Sequence, residues 1–263
     1  MTWSDDKWPT CAHGGIIPSY GIGHSEAQWF VRGVPNVKKA FAKVWETDDL
    51  LTSFDGVSSW RPWNIDPSWK TQSGQAWFHI DQHPISKPGK QCIQGLINLL
   101  PTSEEIGGNV VIPKSHNFFK DLPEQYKERV ERLPLDIDHF RFPHDDPKLS
   151  SEPAVMAHME PGDMLLWDSR TIHCSSSGSS LPEGTNDLIR AASLICMMPK
   201  ELSSKEIIEK RIHAAENLVS TTNWTNDFRN ADEFPIILEA ENRDQYKWPK
   251  KPNLSEYQKD LIA

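Results

Sequence analysis

Four cysteines are spread through the 263 residues, at Cys11, Cys92, Cys174 and Cys196, and no two form a Cys-x-x-Cys pair. This spacing offers neither a thiolate zinc cluster nor a disulfide framework, and it fits a reducing compartment. Basic runs are missing as well: 28 Lys and Arg stand against 37 Asp and Glu, a formal charge of −9. Without a basic patch there is no electrostatic footprint for a phosphate backbone, so a nucleic-acid partner is not expected. No apolar run approaches the roughly 20 residues needed to span a bilayer. The opening Met1-Thr2-Trp3-Ser4-Asp5-Asp6-Lys7 has no cationic segment leading into an apolar one. These absences point to a cytoplasmic protein without a membrane partner. No internal repeat is visible.

At this length a chain can bury one substantial core, and β-barrels of this size commonly remain a single domain. The stretch Trp77-Phe78-His79-Ile80-Asp81-Gln82-His83-Pro84 carries the first chemical signal. On an extended segment side chains at i and i+2 share a face, so His79 and Asp81 can reach one point in space and hold one metal ion. Two histidines with one carboxylate form the ligand set of non-heme Fe(II) oxygenases. A third ligand must come from elsewhere, and His173 is the candidate, at the end of Pro161-Gly162-Asp163-Met164-Leu165-Leu166-Trp167-Asp168-Ser169-Arg170-Thr171-Ile172-His173. Taken alone, His-x-Asp also reads as a half-buried strand with a hydrogen-bonded histidine.

Its company narrows the choice. His79-x-Asp81, then Gly107-Gly108-Asn109-Val110-Val111-Ile112-Pro113-Lys114-Ser115-His116, then the Gly162-Asp163 strand ending at His173, then Arg190, follow one another over roughly residues 75–198. In that order they resemble the phytanoyl-CoA dioxygenase-like Fe(II)/2-oxoglutarate oxygenases. The resemblance implies that His79, Asp81 and His173 bind Fe(II) and that 2-oxoglutarate is the co-substrate. It also implies that Arg190 holds the distal carboxylate of 2-oxoglutarate together with Ser175, a hydroxyl two residues past the distal histidine. The 17 positions from His173 to Arg190 exceed the usual spacing, an excess that the Ser/Gly stretch 175–184 can absorb; Arg170 is the fallback. A guanidinium in the apolar strand 188–198 needs a partner, and its planar fork matches a carboxylate.

The same resemblance places the strand 91–100 beside the metal, so Gln94 and Asn98 are expected to face inward and donate to an acid co-substrate. His116 is expected to be structural. The implied reaction is oxidation of a small or medium-sized metabolite, hydroxylation by default, consuming dioxygen and releasing succinate and CO2. Retention of Asp81 speaks against halogenation. Trp60, Arg61 and Trp63, in a loop just before the His-x-Asp strand, and Trp77 within it, are the expected substrate contacts. Two other classes share these residues: a metal-dependent cupin-type hydrolase or isomerase without 2-oxoglutarate, in which Arg190 neutralises an internal acid, and a non-catalytic jelly-roll binding protein.

The expected fold is mainly β with flanking α-helices, a double-stranded β-helix (jelly-roll, cupin-like) barrel. A helical N-terminal flank over about 1–70, a core over about 75–198 with an insertion at 117–153, and a helical C-terminal flank over 200–263 complete one oxygenase domain. The N-terminal flank opens as an irregular arm to residue 23 and continues with helices from His24 and from Pro35, a favoured first helical position. The insertion, with a helix over 123–133 and with His139, His144, Asp145 and Asp146, reads as a solvated loop rising from the barrel. The chain is expected to be a monomer or weak homodimer.

Overall fold

The computed structural model describes residues 4–71, 77–240, 244 and 248–263. Residues 1–3 of the expected arm, and residues 75 and 76 at the expected start of the core, lie outside them. Short strands open the chain: β1 (Ile16–Ile17), β2 (Leu50–Thr52) and β3 (Val57–Trp60). Then come β4 (His79–Asp81), β5 (Ile93–Asn98), β6 (Gly107–Val111), β7 (His139–Arg141), β8 (Val155–Met156), β9 (Met164–Asp168), β10 (His173–Ser177) and β11 (Arg190–Pro199). One sheet runs β1-β3-β11-β5-β9 with β2 also on β11, and the other runs β7-β4-β10-β6-β8; every pairing is antiparallel. The architecture is the expected jelly roll with flanking helices. The expected closed barrel is corrected in one respect: the described strands form two facing sheets with no shared edge.

Period-two alternation decides what each face meets. On β5 and β11 the outward Ile93, Ile97, Ile195 and Met197 join Val37 and Phe41 of the helix α2 (Pro35–Trp45), and Val31 of α1 (Glu26–Arg32). Ser25 caps α1 by accepting from the Gln28 N–H, and Pro35 occupies the first turn of α2. Gly95 lets helix and sheet approach: a Cβ there would lie 3.0 Å from Phe41 and 2.8 Å from the Ile195 carbonyl. Inward on the same strands lie Gln94, Leu96, Leu194 and Cys196, which face the space between the sheets.

The flank read as helical also supplies β1, β2 and β3, so the first sheet recruits residues well before 75. These strands are two to four residues long, too short for alternation to identify them. The insertion departs further from its sequence reading. Its helix breaks at Tyr126 into α3 (Leu122–Gln125) and α4 (Lys127–Arg132), and Phe119, Leu122 and Val130 bury against the outer face of the second sheet. Beyond them β7 joins the sheet edge, with Phe140 and Phe142 buried among these side chains. It is a packed cover, not a solvated loop. Past β11, Ser204 caps α5 (Lys205–Asn217), followed by α6 (Pro235–Leu238) and α7 (Glu256–Lys259) with Ser255 as its cap. Among the described residues no helix is long and apolar enough to cross a membrane.

Candidate metal centre

Strand β4 lies between β7 and β10, and its register builds the site. His79 stands opposite His173, and Asp81 stands opposite His139. Directly opposed residues place their Cβ atoms about 5 Å apart, and His79 and Asp81 share a face, so four polar side chains gather on the inner surface of one sheet. The His79 and His173 rings lie 4.4 Å apart. Asp81 reaches both, with Oδ1 3.5 Å from His79 Nε2 and Oδ2 3.4 Å from His173 Nε2. One donor atom from each of the three falls within 4.8 Å of the others.

Backbone carbonyls set the protonation of both rings. His79 Nδ1 lies 3.0 Å from the Trp77 carbonyl, and His173 Nδ1 lies 2.8 Å from the Thr171 carbonyl. A carbonyl can only accept, so each Nδ1 carries a proton, and in the neutral ring Nε2 is the atom left with a lone pair, facing Asp81. Burial lowers the His79 imidazole to about 4 against the opposing pull of Asp81, which favours the neutral ligand form. Burial alone would raise the Asp81 carboxyl, but its close contacts with the imidazoles, His79 foremost and then His139 and His173, hold it well below the usual range. Gln94 donates from Nε2 to Asp81 Oδ2 at 2.9 Å, reaching across from the other sheet. Trp77 stacks on His79 at 4.3 Å, nearly parallel.

The cluster opens into a cavity of about 420 Å³ between the sheets. Several buried polar atoms on its wall have no hydrogen-bond partner among the described residues: Gln94 Oε1, Asn109 Oδ1, Trp167 Nε1, and Nε and Nη1 of Arg190. Arg190 is 1 % exposed. Its guanidinium lies over the Trp60 ring at 4.8 Å, no carboxylate among the described residues pairs with it, and burial lowers it to about 10. Gly108 lies against it, where a Cβ would make an ordinary contact with Nη1 at 3.5 Å.

Of the residues singled out in the sequence, the structure brings His79, Asp81, His173, Gln94, Ser175, Arg190 and Trp77 onto this cavity. Asn98 is off it, buried and donating at 3.4 Å to Thr102 Oγ1 and the Met159 carbonyl. Arg170 is spoken for, with Nε and Nη2 on the two Asp168 oxygens at 2.8 and 2.6 Å. Trp60, Arg61 and Trp63 do not line the cavity. Trp60 is sealed behind Arg190 and donates to the Gly14 carbonyl, Arg61 lies between Trp8 and Trp69 and pairs with Asp5, and Trp63 carries Lys70 over its ring. His139 was set aside with the insertion, yet its Nδ1 stands 3.5 Å from Asp81 Oδ1. The alternation His139-Phe140-Arg141-Phe142, buried at Phe140 and Phe142, was the signal that could have found it.

Two imidazoles and a carboxylate suit Fe(II) among first-row metals, and an unpaired buried guanidinium in the same cavity suits an acidic co-substrate, so the residues fit the cofactor pair implied by the sequence. The chain belongs to the phytanoyl-CoA dioxygenase (PhyH) family, whose model matches residues 48–181. It is similar to the Ava biosynthesis cluster protein O of Aspergillus versicolor, at 33 % identity over 84 % of this chain and 70 % of that protein. A putative phytanoyl-CoA dioxygenase of Dictyostelium discoideum is 23 % identical over 87 % of this chain and 69 % of its own length. Among solved structures, that of GlcNAc Inducible Gene 2 from Candida albicans shares the fold, with a TM-score of 0.53 and 14 % identity over 93 % of this chain and 70 % of that one. Family membership supports an oxygenase-type role.

Proposed function

We propose that the chain is an Fe(II)- and 2-oxoglutarate-dependent dioxygenase that hydroxylates a small or medium-sized organic metabolite and releases succinate and CO2. The observation that carries this reading is Arg190, a buried guanidinium with two unpartnered nitrogens in the cavity that holds the His79, Asp81 and His173 cluster. A buried charge without a partner is unfavourable by several kcal/mol, and a carboxylate would meet it with paired hydrogen bonds.

When bound, iron with 2-oxoglutarate and dioxygen supplies the oxidising power needed to attack a C–H bond. His79, Asp81 and His173 would hold the metal, and the carbonyls of Trp77 and Thr171 accept from both Nδ1 atoms, which makes Nε2 the ligand atom of each neutral ring. Gln94 steadies the Asp81 carboxylate. Arg190 would take the distal carboxylate of 2-oxoglutarate, with Ser175 beside it on the wall. Leu96 and Leu194 line the cavity between these groups and exclude water from it. Arg190 is the only Lys or Arg among the described lining residues, so the coenzyme A thioester of the family name is not carried over to this substrate.

The test is succinate formation with and without Fe(II) and 2-oxoglutarate, together with thermal unfolding in the presence of a non-oxidisable divalent metal. A ligand that binds the folded state alone at a hundred times its Kd stabilises by about 2.7 kcal/mol. We expect a metal-dependent rise in Tm on adding 2-oxoglutarate that disappears in Arg190→Ala. If wild-type protein gives neither succinate nor this rise, the reading is wrong.

A further inference from the structure

The cavity continues past the metal cluster to an end that the chemistry above does not use. Along β11 the inward residues run from Arg190 to Cys196, six positions or roughly 20 Å at strand spacing. Cys196 stands opposite Gln94, whose amide rests on Asp81, so the cluster lies toward the Cys196 end. Beyond it the wall is made by Asp55, Asn223 and Phe234.

Asp55 sits in the connection 53–56 between β2 and β3. This connection is pinned to β11 by the Ser53 N–H on the Cys196 carbonyl and by the Leu194 N–H on the Gly56 carbonyl, at 2.8 and 3.2 Å. Between these anchors Asp55 and Gly56 line the cavity. Asp55 is 8 % exposed. Its Oδ1 accepts from the Ser53 hydroxyl at 2.8 Å, with Arg32 Nη2 behind it at 3.9 Å. The Arg32 hydrogen bonds go to the Gly23 and Asp55 carbonyls, not to the carboxylate. Among the described residues no second side chain donates to the carboxylate; the other donor beside it is the Asp55 backbone N–H. Burial raises the carboxyl to about 6 against the pull of Arg32, so it is still mostly ionised at neutral pH. Asn223 turns its amide nitrogen to Cys92 Sγ, which leaves its oxygen as an acceptor, and Phe234 adds an aromatic ring. Carboxylate, amide oxygen and ring together make an acceptor-rich end with no Lys or Arg of its own among the described lining residues.

We propose that this end is a subsite for a basic nitrogen of the substrate, an ammonium, amidinium or guanidinium group, held by Asp55 Oδ2. The assignment rests on the oxygenase reading for what happens at the neighbouring cluster. Asp55 lies on the far side of β11 from Gln94, two strand spacings or about 10 Å. The nitrogen is therefore several bonds from the carbon that is oxidised.

The test uses the full chain without metal or 2-oxoglutarate and three matched probes: phenylbutylguanidinium, phenylbutylammonium and phenylbutanol. Binding is read by ligand-observed NMR and by thermal shift. We expect the two cations to bind roughly tenfold more tightly than the alcohol. The preference falls to near unity in Asp55→Asn and in Asn223→Lys, which puts a cation beside Asp55 from a half-buried position off the sheets; if Asp55→Asn does not fold, Asn223→Lys decides. The proposal is overturned if the alcohol binds as tightly as the cations, if no cation binds at millimolar concentration, or if the preference survives in the variants that fold. Succinate formation is read separately. Cation selectivity without succinate keeps the subsite and removes the oxygenase, and the reverse pattern does the opposite.

Discussion

Gln94 and Asp81 belong to different sheets, and the 2.9 Å hydrogen bond from Gln94 Nε2 to Asp81 Oδ2 ties the two across the cavity. Groups that orient a metal ligand typically contribute 10- to 100-fold in affinity. Gln94→Ala is expected to weaken Mn(II) or Co(II) binding by about that range, with far less effect on the metal-free Tm. Gln94→Glu should weaken it in the same direction by placing a second carboxylate against Asp81. Metal titration followed by calorimetry or by the Co(II) spectrum checks both, and unchanged affinity in Gln94→Ala would deny the bond a role.

Arg190 makes the opposite kind of prediction for stability. Its charge has no carboxylate partner among the described residues, and burial lowers it to about 10. Replacing an uncompensated buried charge by an apolar residue of similar length is often neutral or stabilising. Arg190→Met is therefore expected to match or exceed wild-type stability in urea without ligands, while losing the response to 2-oxoglutarate. A large loss of stability would mean that the stacking on Trp60 outweighs desolvation.

His24 gives a pH dependence with a definite sign. It is 1 % exposed, and burial lowers it to about 3, with Arg32 adding to the effect. The unfolded chain protonates this histidine near pH 6.5 while the folded chain does not, so stability falls as pH drops from about 6.5 toward 3. Asp55, raised to about 6, works the other way: below about pH 6 the folded state takes up its proton first, and stability is gained until the unfolded carboxyl titrates. In urea unfolding at pH 7.5 and 5.0, His24→Gln should be less stable than wild type at the higher pH but lose less on acidification. An identical slope in both proteins would be inconsistent with a neutral buried imidazole.

Gly95 is a packing position. A Cβ there would meet the Ile195 carbonyl and Leu166 at 2.8 Å and Phe41 at 3.0 Å, so Gly95→Ala must push α2 from the sheet. Overpacking of this kind typically costs 1–3 kcal/mol. The urea midpoint should drop accordingly, and more for Gly95→Val.

What the sequence revealed followed the range of the interactions. His79 and Asp81 were legible because a two-residue period is local, and α2 because Pro35 and its apolar stripe are local as well. His173 stood out at the end of the stretch 161–173 and Arg190 as a charge in an apolar strand, but their roles came through resemblance to a family, since nothing near either residue announces the partner that it meets. Asp55 was invisible because its conformation depends on Cys196 and Leu194, some 140 residues away, and on a connection that has no periodicity. His139 was hidden for a different reason: its segment is rich in charge, and its three-residue strand is stabilised by Phe140 and Phe142 packing into a core that the sequence does not display. Arg61 misled because an arginine between tryptophans looks like a ligand clamp, while here Asp5 and two indoles already satisfy it.

The far wall of the cavity, residues 221–223 with Phe234, belongs to no strand of either sheet. Which molecules are accepted can thus change through this segment while the strands that carry the metal cluster keep their register. Tail exchange between paralogues offers the corresponding engineering route, with graft junctions placed after α5.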